Sequence, residues 1–118
     1  MTNQITFSDT IGLAKTELDV HTLGLSSINE ILRECGFKTI VTDSIISKAF
    51  SEPRELNNFM LIEKWICENK ITVLGFSYRL DIDDGVLLFK RLMNQLEKKK
   101  LLKVTGGHIK KIYFAGLP

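Results

Sequence analysis

The segment "ITVLGFS" (71–77) is a nearly continuous apolar run with β-branched residues, of strand length and too apolar to face water on either side. A strand covered on both faces needs helices above and below it, and the flanking sequence supplies them. "TIGLAK" (10–15), "FKTIVTD" (37–43) and "KKIYFAG" (110–116) read as three further strands, separated by stretches with helical apolar spacing. Ser27 with Glu30 reads as a capping box that opens the first helix. Ile28, Ile31, Leu32 and Cys35 give that helix an apolar stripe, and Gly36 stops it. A short helical piece broken near Pro53 is expected over 44–58. A main helix then runs from Arg54 to Asn69, with Leu56, Phe59, Met60, Ile62, Trp65 and Ile66 as its apolar face. Asp81 with Asp84 can cap a last helix whose core face is Val86, Phe89, Leu92, Met93 and Leu96, and Gly106-Gly107 reads as the turn beyond it.

The order βαβαβαβ in 118 residues predicts a single α/β domain spanning 1–118, with a parallel sheet and right-handed crossovers. In a flavodoxin-like (Rossmann-like) sheet of order 2-1-3-4, helices cover both faces, and ligands bind outside the carboxyl ends of the strands where the order reverses. Three features far apart in sequence then converge. Asp19 and His21 of "LDVHTLG" follow the first strand, Ser77 closes the third, and Gly116 ends the fourth.

Composition removes several function classes. The formal net charge of +2 and the lack of a basic face or arm predict no nucleic-acid partner. The run Lys98-Lys99-Lys100 falls at a helix end, where positive charge suits the helix dipole. No apolar run approaches the roughly 20 residues that span a bilayer, and "MTNQITFSD" lacks the regions of a signal peptide, so a cytoplasmic, non-membrane protein is expected. Cys35 and Cys67, on apolar helix positions, are expected to be unpaired core thiols.

D-x-H-x-x-G at Asp19, His21 and Gly24, followed by Ser77 and terminal glycines, resembles the cobalamin-binding (B12-binding) domain shared by corrinoid-dependent methyltransferases and adenosylcobalamin-dependent mutases. The resemblance covers nearly the whole chain. It implies a cobalamin cofactor, as adenosylcobalamin or methylcobalamin, with His21 as lower axial cobalt ligand through Nε2. Asp19 would accept the Nδ1 proton and fix the tautomer. The cofactor-binding set it implies is Asp19, His21, Thr22, Gly24, Ser77, Ala115 and Gly116. Gly24 would let the loop turn into the helix, and Ser77 would hydrogen-bond the displaced benzimidazole tail. The partner implied is a separate catalytic domain or subunit of a mutase, aminomutase or methyltransferase.

The chain departs from the family pattern in four places. Where the family has S-x-L the third position is Arg79, with Leu80 next, so Ser77 transfers alone. The interval from Gly24 to Ser77 is long, which points to an insertion around 44–58. Two pairs compete for the glycine element: Gly106-Gly107 by spacing and Ala115-Gly116 by position after the fourth strand, the latter favoured. A fifth strand and closing helix are implied and the chain stops before them, so a longer protein or a partner is expected to complete the sheet.

Bland alternatives remain for each residue. Asp19 beside His21 also reads as a helix-capping carboxylate near a solvated imidazole, and Ser77 as a hydroxyl bonded to its own loop. His108 reads as an exposed turn residue; with His21 and the cysteines it has no zinc-ligand spacing. Tyr78, Arg79, Asp81 and Asp83 border the crevice and read as loop-shaping and capping residues. Asp43 ends the second strand, but a phosphoacceptor site needs further carboxylates at strand ends, and a flavin site needs a phosphate loop that "TELDVHTLG" is not. The competing function is a cofactor-free flavodoxin-like regulatory or interaction domain, a degenerate relative of the binding module.

Overall fold

A computed structural model of the chain describes residues 5–15, 23–77, 82–103 and 106–115; for 23–25, 82–85 and 114–115 only the backbone enters the description. The elements run β1 (Thr10–Lys15), α1 (Leu23–Glu34), β2 (Lys38–Val41), α2 (Ser44–Phe50), α3 (Leu56–Glu68), β3 (Val73–Ser77), α4 (Ile82–Lys98) and β4 (Lys111–Ala115). The strands form one parallel sheet of order β2-β1-β3-β4. This is the flavodoxin-like order that the sequence predicts, with each strand within a residue or two of its expected bounds.

Strand alternation divides the sheet into two unequal faces. Ala14, Leu74 and Phe76 point to the larger core, where they meet Ala49 and Phe50 of α2, Phe59, Ile62, Trp65 and Ile66 of α3, and Leu88, Leu92 and Leu96 of α4. Ile11, Leu13 and Val73 point the other way, into a small cluster that takes Leu32 of α1. Three helices therefore cover one face and α1 the other. β3 is buried from both sides, as its apolar sequence requires.

That imbalance overturns part of the expected core. Of the apolar α1 side chains among the described residues, Leu32 alone packs inward, while Ile28 (48% exposed) and Ile31 (58%) stay in solvent because no second described helix flanks α1 on its face. Cys35 and Cys67 are exposed thiols, not core ones: Cys67 follows the inward-facing Ile66 and turns about 100° away from it. Leu56 and Met60 are exposed at the margins of the Phe59–Ile62–Ile66 stripe. On α4 the buried stripe is Leu88, Leu92 and Leu96, with Phe89 and Met93 half-buried. Val86, about 200° around the helix from Leu88, faces water.

The first helix also starts earlier than its capping box suggests. α1 begins at Leu23, so Ser27 and Glu30 lie on its exposed side one turn in. A Ser/Glu pair three apart caps a helix only if the chain ahead of it is non-helical, and the local pattern does not carry that information. Further on, Asp43 caps α2 by accepting from the Ile46 N–H at 2.8 Å, and Glu55 caps α3 by accepting from Asn57 and Asn58 at 3.1 Å each. The piece broken near Pro53 is thus α2, a turn and the start of α3.

Three helix-to-strand junctions share one device. After α1, Gly36 at φ +97° is followed by Phe37, whose N–H donates to the Leu32 carbonyl. After α3 and α4 the same left-handed position is held by Lys70 (φ +53°) and Lys100 (φ +57°), with Ile71 and Leu101 donating back to Ile66 and Leu96. Each apolar residue after the cap then enters the core or its strand, so the cap sets where the next strand begins.

Asp9 stitches the amino edge of the sheet. Its Oδ1 accepts from the Thr72 hydroxyl at 2.8 Å, and its Oδ2 accepts from the Thr6 N–H and the Lys110 ammonium, both at 2.8 Å. Burial pushes the Asp9 carboxyl pKa up, but Lys110, the Thr6 N–H and the Thr72 hydroxyl together outweigh it and hold the pKa below its ordinary value. The residues before β1, β3 and β4 are thereby tied at one point.

Candidate functional site

The carboxyl edge of the sheet carries the candidate site. Register there pairs Lys15 of β1 with Ser77 of β3, and Ser77 with Ala115 of β4, in one row across the sheet. β1 ends at Lys15, whose register partner on β3 is Ser77. Asp19, His21, Thr22 and Gly116 lie outside the described residues, as do Tyr78, Arg79, Leu80 and Asp81. Gly24 was expected in the loop ahead of the helix; it is the second residue of α1.

The exit of β1 is held from both sides. Thr42, buried just after β2, donates its N–H to the Leu13 carbonyl at 3.1 Å and accepts the Lys15 N–H on Oγ1 at 3.4 Å. The Ser47 hydroxyl of α2 lies 2.8 Å from that same oxygen. Thr42 thus fastens the last residue of β1 to α2, while the β3 ladder fastens it on the other side. Ser77 is half-buried, and its hydroxyl has no hydrogen-bond partner among the described residues. The loop that a loop-bonded Ser77 hydroxyl would use, residues 78–81, lies outside the described residues.

Gly106-Gly107 and Ala115, the described member of the competing pair, lie at opposite ends of β4. Gly106 (φ +103°) and Gly107 belong to the turn between α4 and the amino end of β4. A Cβ on Gly107 would fall 2.1 Å from the Leu101 carbonyl carbon, so close backbone approach requires that glycine. Both residues fold the 101–109 turn, in which Leu102 and Ile109 form an isolated bridge. Ala115, by contrast, is in register with Ser77 at the crevice. His108 is exposed in the turn, and no group of three or more His, Cys, Asp or Glu side chains capable of holding a metal occurs among the described residues.

Among the described residues no helix is long and apolar enough to cross a membrane. The topology and the convergent strand ends define a flavodoxin-like α/β domain with its crevice at the β1/β3 switch point. Compared with protein-family models and with curated proteins, the sequence matches none.

Proposed function

We propose that the chain is a cytoplasmic corrinoid-carrying module that presents a cobalamin to a separate catalytic domain or subunit of a mutase, aminomutase or methyltransferase. The observation that supports this reading is the Lys15–Ser77–Ala115 row, because it brings the last residue of β1 beside Ser77 at the switch point, where a ligand of such a sheet binds. The described residues at the crevice suit a bulky planar nucleotide tail. Ser77 and Ala115 are small, and the Ser77 hydroxyl has its hydrogen-bonding capacity free among the described residues. In this reading His21 binds the cobalt, Asp19 orients the imidazole by accepting its Nδ1 proton, and Thr22, Gly24, Ala115 and Gly116 border the cofactor. The cofactor supplies the methyl-transfer or radical chemistry when bound; the protein holds and orients it.

The test is direct. Purified protein mixed with hydroxocobalamin should give a stable coloured complex whose spectrum shows histidine in place of benzimidazole, and His21→Ala should abolish that change. A spectrum equal to the sum of its parts, unchanged by His21→Ala, overturns the reading. The exposed Ile28 and Ile31 on α1 favour a second reading, a cofactor-free interaction domain, which that negative result would support.

A further inference from the structure

The turn between α2 and α3 and the carboxyl half of α4 enclose a cleft of about 300 Å³, lined by Arg54, Arg91, Asn94, Gln95 and Lys98. On α4 these residues recur at the i, i+3, i+4, i+7 spacing of one helix face, and the turn adds Arg54. Gln95 fixes the wall by donating from Nε2 to the Pro53 carbonyl at 3.2 Å.

Charge and donors exceed what the protein itself supplies to match them. Glu52 is the carboxylate paired with both guanidinium groups, its Oε1 3.7 Å from Arg54 Nε and its Oε2 3.7 Å from Arg91 Nη1. Those separations are too long for hydrogen bonds, so Glu52 offsets charge without occupying the N–H groups. Glu52 Oε1 and Arg91 Nε are accordingly buried with no hydrogen-bond partner among the described residues. The cleft is thus lined by three cations, of which two have Glu52 as a loosely bonded counter-charge. Guanidinium forks match the geometry of phosphate oxygens, and a dianion matches the excess charge.

We propose that this cleft is an anion site for a phosphoryl group, either free phosphate or a phosphomonoester. A volume of about 300 Å³ admits the phosphoryl group and a small body attached to it. Bound there, the oxyanion takes the accessible guanidinium N–H groups of Arg54 and Arg91, while the buried Arg91 Nε stays behind them, and Lys98 adds a third charge at the rim. The cleft draws on the carboxyl half of α4, whereas the crevice at Ser77 leads to that helix's amino end. The two sites are therefore separable by mutation.

The experiment is a ¹⁵N NMR titration of the whole chain with potassium phosphate against potassium chloride at equal ionic strength. The signals followed are the Arg54 and Arg91 Nε–H groups and the amides of residues 91–98. Phosphate should give saturable shifts that chloride does not. Arg91→Gln and Lys98→Gln should each weaken binding several-fold, and the exposed Lys98 can be changed without disturbing the core. Glu52→Gln removes the competing carboxylate and should tighten binding about five-fold. Tighter binding of ribose 5-phosphate than of phosphate supports a phosphomonoester occupant; equal affinity supports free phosphate. Shifts that follow ionic strength alone, or an affinity indifferent to both Lys98→Gln and Glu52→Gln, overturn the proposal.

Discussion

Removing the Asp9 carboxylate should release the amino edge of the sheet. Asp9→Asn keeps the shape but replaces an acceptor oxygen by an NH₂ donor, facing a lysine ammonium and a backbone N–H or a threonine hydroxyl. The Lys110 side chain is 16% exposed and that of Asp9 is 7%, so the substitution removes a negative charge 2.8 Å from a largely buried ammonium. Breaking a buried pair from one side costs about 3–5 kcal/mol, and the residual exposure places this case near 3. Unfolding entropy for a chain of this length is about 0.25 kcal/mol/K, so Tm should fall by about 12 °C. The assay is a double-mutant cycle by urea denaturation, with Lys110→Met as the second substitution. It should show a coupling energy of about 2 kcal/mol, since the double variant no longer buries the ammonium that faced Asp9. The pH dependence has a definite sign. The folded pKa of Asp9 is depressed, so its contribution is complete above the unfolded carboxylate value near 3.8 and is lost as pH falls through the folded value. The stability gap between the parent and Asp9→Asn should be flat from about pH 7 to about pH 5 and close below about pH 4. Additivity within about 0.5 kcal/mol, or a gap unchanged at pH 3, would refute the argument that Asp9 and Lys110 act as a buried pair.

Other substitutions probe the helix caps, the packing and the exposed thiols. Lys70→Gly and Lys100→Gly relieve left-handed backbone at a non-glycine residue, and each should raise stability by about 0.5–1 kcal/mol in thermal unfolding. Gly12→Ala would put a Cβ 2.6 Å from Ile71 Cδ1 and 3.0 Å from Trp65 Cη2, and should cost about 1–3 kcal/mol. At Gly75 the nearest atom is a flexible Leu13 methyl at 3.2 Å, so Gly75→Ala should cost under about 1 kcal/mol by the same denaturation measurement. Both Cys35 and Cys67 should react with a maleimide in the folded state, with mass spectrometry showing two adducts before any unfolding.

Local pattern carried the order of elements, the four strands and their approximate bounds. Period-2 and period-3.6 spacing, Pro53 and Gly36 act over a few residues and survive without tertiary context. From that order the parallel sheet and its 2-1-3-4 arrangement followed, and with them the adjacency of Lys15, Ser77 and Ala115 at the crevice. Burial was a different matter. Ile31 and Cys35 belong to the same apolar stripe as Leu32, yet Leu32 alone finds a partner, because packing depends on which helices share a face of the sheet. Lys70 and Lys100 give no sequence signal for a left-handed cap; the chain accepts the strain there because Ile71 and Leu101 must turn into the core. The Asp9–Lys110 pair and the meeting of Arg54 with Arg91 join residues 101 and 37 positions apart, and only folding brings those charges within reach. Short-range patterning thus wrote the topology, while the charges, caps and covered faces were set by contacts between segments distant in the chain.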